Sequence, residues 1–245
     1  MSGRPEAWNA LSKAPADAAA GVDLELELRP HGLPGRLIVF CGVDGSGKTT
    51  IRELAHGHLS SRGVFASRVD ALSSGCRSLP YFLSYTQDPL RAATGEVDLA
   101  ALCFVCLGDR LVTIRREFLR RLAAGEWLLC DRYVFTPLAE LLAFEYPPAD
   151  IEAVLGLVDL FPAPDLVFLA DVDGATALRR VSERADEQDK TLHLAFYARV
   201  AEAFRFVCDA NGVHRVPTAG ALEQTLGAMA PHLDELVSGV ELSVR

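Results

Sequence analysis

The residues of this chain best suited to chemistry begin at Gly42. Gly42, Gly47, Lys48 and Thr49 keep the spacing G-x-x-x-x-G-K-[ST], after the apolar run Leu37 to Cys41 and ahead of an amphipathic stretch. A strand entering a tight loop that opens a helix is the setting this spacing requires. Small residues such as Gly45 and Ser46 let the backbone wrap an anion closely, so that its N–H groups converge on phosphate. Lys48 can then reach the β- and γ-phosphates of a nucleoside triphosphate. The Thr49 hydroxyl can ligate Mg²⁺, and Thr50 lies beside it at a helix N-terminus, whose dipole favours negative charge. The spacing therefore predicts an ATP-type site and leaves open what becomes of the γ-phosphate.

Two further groups bear on that question. Asp131 closes the buried-type run Leu128-Leu129-Cys130; a carboxylate there holds Mg²⁺ through water or orients Lys48, or else caps the next helix. Arg132 beside it presents a rigid fork of donors suited to phosphate, or forms a surface salt bridge. Arg179, Arg180 and Arg184 make a second cationic group. Arg180 and Arg184 are four apart and share a helix face, where two guanidiniums either approach one polyphosphate or sit in solvent balanced by Glu183, Asp186 and Glu187.

The elements that must position these residues alternate in type. Short apolar runs at 37–41, 64–69, 127–130, 166–169 and 213–216 read as strands. Helical patterns at 50–61, 99–122, 136–144, 151–157, 174–185 and 192–208, with one more at the C-terminus, lie between and after them. This alternation predicts an α/β chain with a five-stranded parallel sheet covered by helices on both faces. Ligands of such sheets lie beyond the C-terminal strand ends, where Gly42, Asp131 and Asp171 fall. Residues 1–35 read as an extension, first a mobile arm or short helix and then, over 22–29, a half-buried strand in which Val22, Leu24, Leu26 and Leu28 alternate with charged residues. That strand is expected to lie beside Leu37–Cys41 or to form an edge for a second copy. Residues 36–245 form the main domain.

Composition narrows the partners. Half of the 245 residues are apolar and the formal net charge is −9, which argues against a nucleic-acid polymer as partner and leaves a small anionic ligand open. The six cysteines lie mostly in apolar segments, and the Cys103–Cys106 pair has no partner pair or neighbouring His to complete a metal knuckle, so a reduced, cytoplasmic protein is expected. No signal-peptide pattern and no membrane-length apolar run is present.

In order and spacing, FCGVDGSGKTT, LLCDRYVFTPLA and PDLVFLADVDGATALRRVSERADE resemble the thymidylate kinase family, over about 37–216. The resemblance implies a P-loop kinase-like three-layer fold and transfer of the γ-phosphoryl of ATP to a deoxynucleoside monophosphate, usually dTMP. It also implies Mg²⁺, a homodimer and a lid near residues 179–191. By motif, Lys48 and Thr49 match the ATP and Mg²⁺ residues, Asp44 the loop carboxylate that meets the acceptor sugar, and Arg132 the clamp on the acceptor phosphate. Arg68, at the end of the second strand, matches a further acceptor-side Arg. Arg180 and Arg184 match lid arginines, one over the nucleotide base and one at the transferring phosphate, a division that suits Gly45 standing where some members carry Arg.

Two departures bear on the acceptor. The family's Arg-Glu-Pro-Gly-Gly turn is replaced by Arg68-Val69-Asp70-Ala71-Leu72. On the helix that offers a stacking Phe and a base-binding Arg four residues later, Arg110 is kept and the aromatic is Cys106. Phe104, Tyr133, Phe135, Tyr81, Phe82 and Tyr85 are the rings that could compensate. Alternatives to a monophosphate kinase are a kinase of nucleosides or of another small acceptor, with Asp44 as base, and a nucleotide-binding protein without catalysis.

Overall fold

A computed structural model describes residue 11, residues 13–185 and residues 190–243. Its framework is a five-stranded parallel sheet. In chain order the elements are β1 (Arg36–Cys41), α1 (Lys48–Ser61), β2 (Ala66–Asp70), α2 (Pro80–Gln87), α3 (Leu99–Thr113), β3 (Trp127–Asp131), α4 (Phe135–Ala143), α5 (Pro148–Val158), β4 (Leu166–Asp171), α6 (Gly174–Ser182), α7 (Leu194–Ala210), β5 (His214–Pro217) and α8 (Leu222–Ser243). The strand order is β2-β3-β1-β4-β5. β1 lies at the centre with five of its six residues buried, as expected of a strand covered on both faces.

One face packs Ile38, Phe40 and Leu129 against Ile51, Ala55 and Leu59 of α1 and Met229 and Leu233 of α8. The other packs Leu37, Val39 and Cys41 beneath α3, α4 and α7. Register then aligns the strand ends: Phe40 pairs with Asp131, and Asp131 with Asp70. The loops that follow β1, β2 and β3 therefore open on one edge.

α3 starts at Asp98, whose side chain accepts from the Ala101 N–H at 3.0 Å. It runs on through a π-helical turn, Ile114–Phe118, and a last α-helical piece, Leu119–Ala123. Arg110 and Cys106 are thereby held on a rigid element.

The strand expected over 22–29 is a correction. Only Arg29–Pro30 is paired, in a two-stranded parallel contact with Pro162–Ala163, away from the main sheet. The alternation does reflect burial, since Leu24 is buried and Val22, Leu26 and Leu28 pack on the core. A side chain, Asn211, replaces the missing neighbour strand: its Oδ1 accepts from the Leu26 N–H at 2.8 Å and its Nδ2 donates to the Leu24 carbonyl at 2.9 Å. Further upstream, Pro15–Ala18 is a short helical turn. The Arg199 guanidinium of α7 donates to the Leu11 and Lys13 carbonyls, to Ala143 at the end of α4, and to the Glu145 carboxylate. Residues 1–10 and 12 of the expected arm lie outside the described residues.

Candidate active site

The loop after β1 takes a shape only glycine allows at two of its turns: φ is 80° at Gly45 and 97° at Gly47. Position 45 also lacks room. A Cβ there would overlap the Ala177 carbonyl of α6 and crowd Val181. The helix that carries Arg180 thus occupies the space an arginine at 45 would need, so cationic charge on this side has to come from α6 and beyond.

Lys48 is buried, and its Nζ donates to the Val43 carbonyl at 2.9 Å and to Asp44 Oδ1 at 3.2 Å. Arg132 makes an ion pair with the same Asp44 oxygen. Burial opposes the Asp44 charge, but Arg132 and Lys48 outweigh it and hold the carboxyl well below the ordinary carboxylate range. The Lys48 ammonium is shifted down, first by burial and then by Arg132, with Asp44 and Asp131 resisting. Arg132 is held in the left-handed region at φ 61°, its N–H bonded to the Phe40 carbonyl at 2.9 Å. A non-glycine residue persists there only where its surroundings fix it, and such residues cluster at ligand clamps.

These groups form one end of a cavity of about 430 Å³. Gly45, Gly47, Thr49, Thr50, Asp131 and Arg184 line that end with them. Asp131 Oδ1 is buried without a hydrogen-bond partner, and Thr49 is exposed. An orphaned carboxylate oxygen lining the same cavity as the loop hydroxyl fits Mg²⁺, an ion that commonly takes one or two protein oxygens and otherwise water and substrate phosphate. Among the described residues no cluster of three or more His, Cys, Asp or Glu could cage a metal.

The other end is walled by α2, α3, α4 and α7. Arg110 is 5% exposed and, among the described residues, has no hydrogen-bond or ion-pair partner, yet it lines the cavity. Thr136 and Glu140 of α4 line it too; Thr136 Oγ1 is buried and unpaired, and the buried Tyr85 hydroxyl faces Glu140. Glu140 is raised to about 7 by burial, against the pull of Arg132. Cys106 is in the lining as expected, with its Sγ 3.9 Å from Cys76 Sγ. Its thiol is pushed up to about 12 by burial, so it offers a small apolar surface and no thiolate.

The cavity therefore brings together Asp44, Lys48, Thr49, Asp131, Arg132, Arg110 and Arg184. Arg68 is placed elsewhere: it is exposed and forms a two-pronged ion pair with Glu53 of α1. It follows Ala66 by two and so faces the α1 side of the sheet, away from the cavity. Arg180 reaches the phosphate loop from outside, donating to the Thr218 carbonyl at 2.7 Å and more weakly to Gly45. Of the expected lid, residues 186–189 lie outside the described residues. Of the candidate rings, Phe82 and Tyr85 line the cavity, while Tyr133 and Phe135 are core residues and Phe104 and Tyr81 are partly exposed outside it. Sequence reasoning missed Glu140 and Lys190. Glu140 carried a signal, the only charge in the apolar helix FTPLAELLA; Lys190, which lines the cavity and bears on Asp44, carried none.

A parallel sheet of this order, with this phosphate loop after its central strand and cationic side chains closing over it, defines a P-loop kinase-like phosphotransferase. The family is narrower. The thymidylate kinase family model matches residues 40–226, and the chain belongs to that family. It is 30% identical to a thymidylate kinase of Xanthomonas campestris pv. campestris (strain B100), over 89% of this chain and 97% of that protein. A thymidylate kinase of Leptospira borgpetersenii serovar Hardjo-bovis (strain L550) is 29% identical over 68% of this chain and 78% of its own length. A probable thymidylate kinase of Pyrobaculum calidifontis is 30% identical over 70% and 81%.

Proposed function

We propose that the chain transfers the γ-phosphoryl group of ATP, with Mg²⁺, to a nucleoside monophosphate, either dTMP or a related nucleotide. The observation that carries this reading is the continuity of one cavity from Lys48 and Thr49, past Arg132, to the unpaired Arg110. Lys48 neutralises charge on the β- and γ-phosphates, giving up its bond to Asp44, and Arg132 positions the acceptor phosphate in line. Thr49 and Asp131 would hold Mg²⁺, whose charge would help neutralise the phosphates. Arg184 adds charge to the transferring group and Arg180 covers the nucleotide. A monophosphate oxygen is ionised near neutral pH and needs no strong base; catalysis is then largely positioning and charge stabilisation.

A nucleoside or other hydroxyl acceptor is the second reading, favoured by the absence of a ring at Cys106, and it would make Asp44 the base. Against it, Asp44 is held well below the carboxylate range by two cations, which suits a charge partner better than a proton acceptor. Measuring ADP release across nucleoside monophosphates and nucleosides, with identification of the phosphorylated product, separates the two. Phosphorylation of nucleosides alone overturns the first reading. The proposal includes a homodimer, supported by the exposed apolar stripe Ala101, Phe104, Val105 and Val112 along α3, and a mass measurement in solution tests it.

A further inference from the structure

Against the phosphate loop, but outside the cavity lining, stands a residue that the chemistry above does not use. Thr218 follows β5 directly and is 9% exposed. Its N–H donates to the Asp171 carbonyl at the end of β4 at 3.1 Å, which carries the β4–β5 pairing one residue past Pro217. Its hydroxyl donates to the Ser46 carbonyl at 2.5 Å, with the Asp171 carbonyl a longer second acceptor at 3.3 Å. Its own carbonyl accepts from Arg180 of α6 at 2.7 Å, while the other arm of that guanidinium reaches the Gly45 carbonyl at 3.4 Å. Sheet, phosphate loop and α6 therefore meet at one residue.

The bond to Ser46 bears on the triphosphate. In a trans peptide the C=O and N–H point opposite ways, so holding the Ser46 carbonyl toward Thr218 turns the Gly47 N–H away from it. That N–H has no partner among the described residues and is open to a phosphate oxygen. The next peptide is fixed separately, the Gly47 carbonyl accepting from the Ile51 N–H at 3.0 Å as α1 begins. Gly47 has no side chain with which to hold the turn, and a Cβ there would come within 3.3 Å of Thr218 Cβ. We infer that Thr218 is a positioning residue for the triphosphate, its hydroxyl setting the 46–47 peptide of the phosphate loop and its carbonyl setting Arg180. The inference deepens the ATP half of the reading above and rests on it. Without the hydroxyl, the carbonyl of the fully buried Ser46 has no donor among the described residues. A methyl in its place does more: C–H···O contacts lie near ~3.3–3.6 Å, so the peptide must withdraw by about 1 Å, a displacement that matters even when it arises away from the reacting atoms.

The test measures ADP affinity by calorimetry, with Mg²⁺ and no acceptor, on the full-length protein and its Thr218→Val, Thr218→Ala and Thr218→Ser variants. Thr218→Val, nearly isosteric but unable to donate, weakens ADP binding by ~10-fold or more, and Thr218→Ala, which removes the donor without crowding the loop, by ~5-fold or more. Thr218→Ser keeps the donor and stays within ~2-fold of the wild type. In steady-state kinetics Thr218→Val lowers kcat/KM for ATP while the acceptor KM changes by less than ~3-fold, a split that general loosening of the fold does not produce. Wild-type ADP affinity in Thr218→Ala overturns the inference. So does Thr218→Ser binding as weakly as Thr218→Ala, since the methyl and not the hydroxyl would then be the working group. A wild type that binds ADP but phosphorylates no nucleoside monophosphate overturns the monophosphate-kinase reading and leaves this inference standing; one that binds no nucleotide overturns both.

Discussion

The two ends of the cavity are built on opposite plans. At the phosphate end the charged groups mostly hold one another: Lys48 and Arg132 share Asp44, and Arg180 is tied to backbone carbonyls. At the acceptor end Arg110 and Thr136 Oγ1 are buried without a partner among the described residues, and the half-buried Glu140 has the Tyr85 hydroxyl rather than a cation facing it. A self-paired end exchanges one set of charge contacts for another when triphosphate arrives, so it is pre-organised for rate and indifferent to the rest of the ligand. An open end carries desolvation costs that only a matching ligand removes, so it discriminates.

Four substitutions sharpen or break this contrast. Lys48→Ala has the largest expected effect, a loss of ~10²-fold or more in kcat, about 3 kcal/mol of transition-state stabilisation; unchanged turnover in folded K48A protein would remove Lys48 from the chemistry. Arg132→Ala follows, with kcat/KM for a monophosphate acceptor reduced by at least ~10²-fold while ATP affinity measured without acceptor changes little. Normal monophosphate kinetics in R132A would dissolve the boundary between the two ends. Arg184→Ala is expected to lower kcat by roughly 10-fold with a smaller change in acceptor KM, as for a contact made mainly in the transition state; equal kcat at saturating substrates would exclude that role.

The smallest effect concerns stability. Glu140 has its proton affinity raised from 4.5 to about 7, so between these pH values the folded state binds more protons than the unfolded chain. Stability contributed by the protonated group is full below pH 4.5 and is lost as pH rises through about 7. Glu140→Gln is therefore expected to raise Tm by a few degrees at pH 8, on the order of 1–3 kcal/mol. Near pH 4.5 it should make little difference. Thermal melts of both proteins across this range give the answer, and a constant difference at every pH would show that Glu140 titrates normally.

The phosphate end was far more legible in the sequence than the acceptor end. Gly42 to Thr49 and Asp131-Arg132 are contiguous in the chain, so their spacing already encodes their geometry, and the apolar runs beside them mark the strands that carry them. The acceptor end is assembled from α2, α3, α4 and α7, and nothing local ties Tyr85 to Glu140 or Arg110. Arg68 shows the limit in one residue: its place at a strand end was readable, but which face of the sheet it takes depends on the pleat, and the pleat turns it to Glu53. The segment 22–28 shows another. Alternation reports which side of a chain is buried and not what satisfies its backbone, and here a single amide, Asn211, takes the place of a strand.

Arg199 makes that upstream segment matter beyond its own packing. One guanidinium fastens Leu11 and Lys13 to the last turn of α4 and to Glu145 just beyond it, from a helix whose Phe196 and Tyr197 also wall the cavity. The family-matched region begins only at residue 40, so a stretch outside it serves as a buttress for the helix that bears Glu140. Load on that buttress falls on the acceptor wall and bypasses the phosphate loop, which hangs from β1 on the other side of the cavity. Trimming the chain ahead of residue 20 would accordingly slacken the grip on the acceptor while the grip on triphosphate stayed as it was.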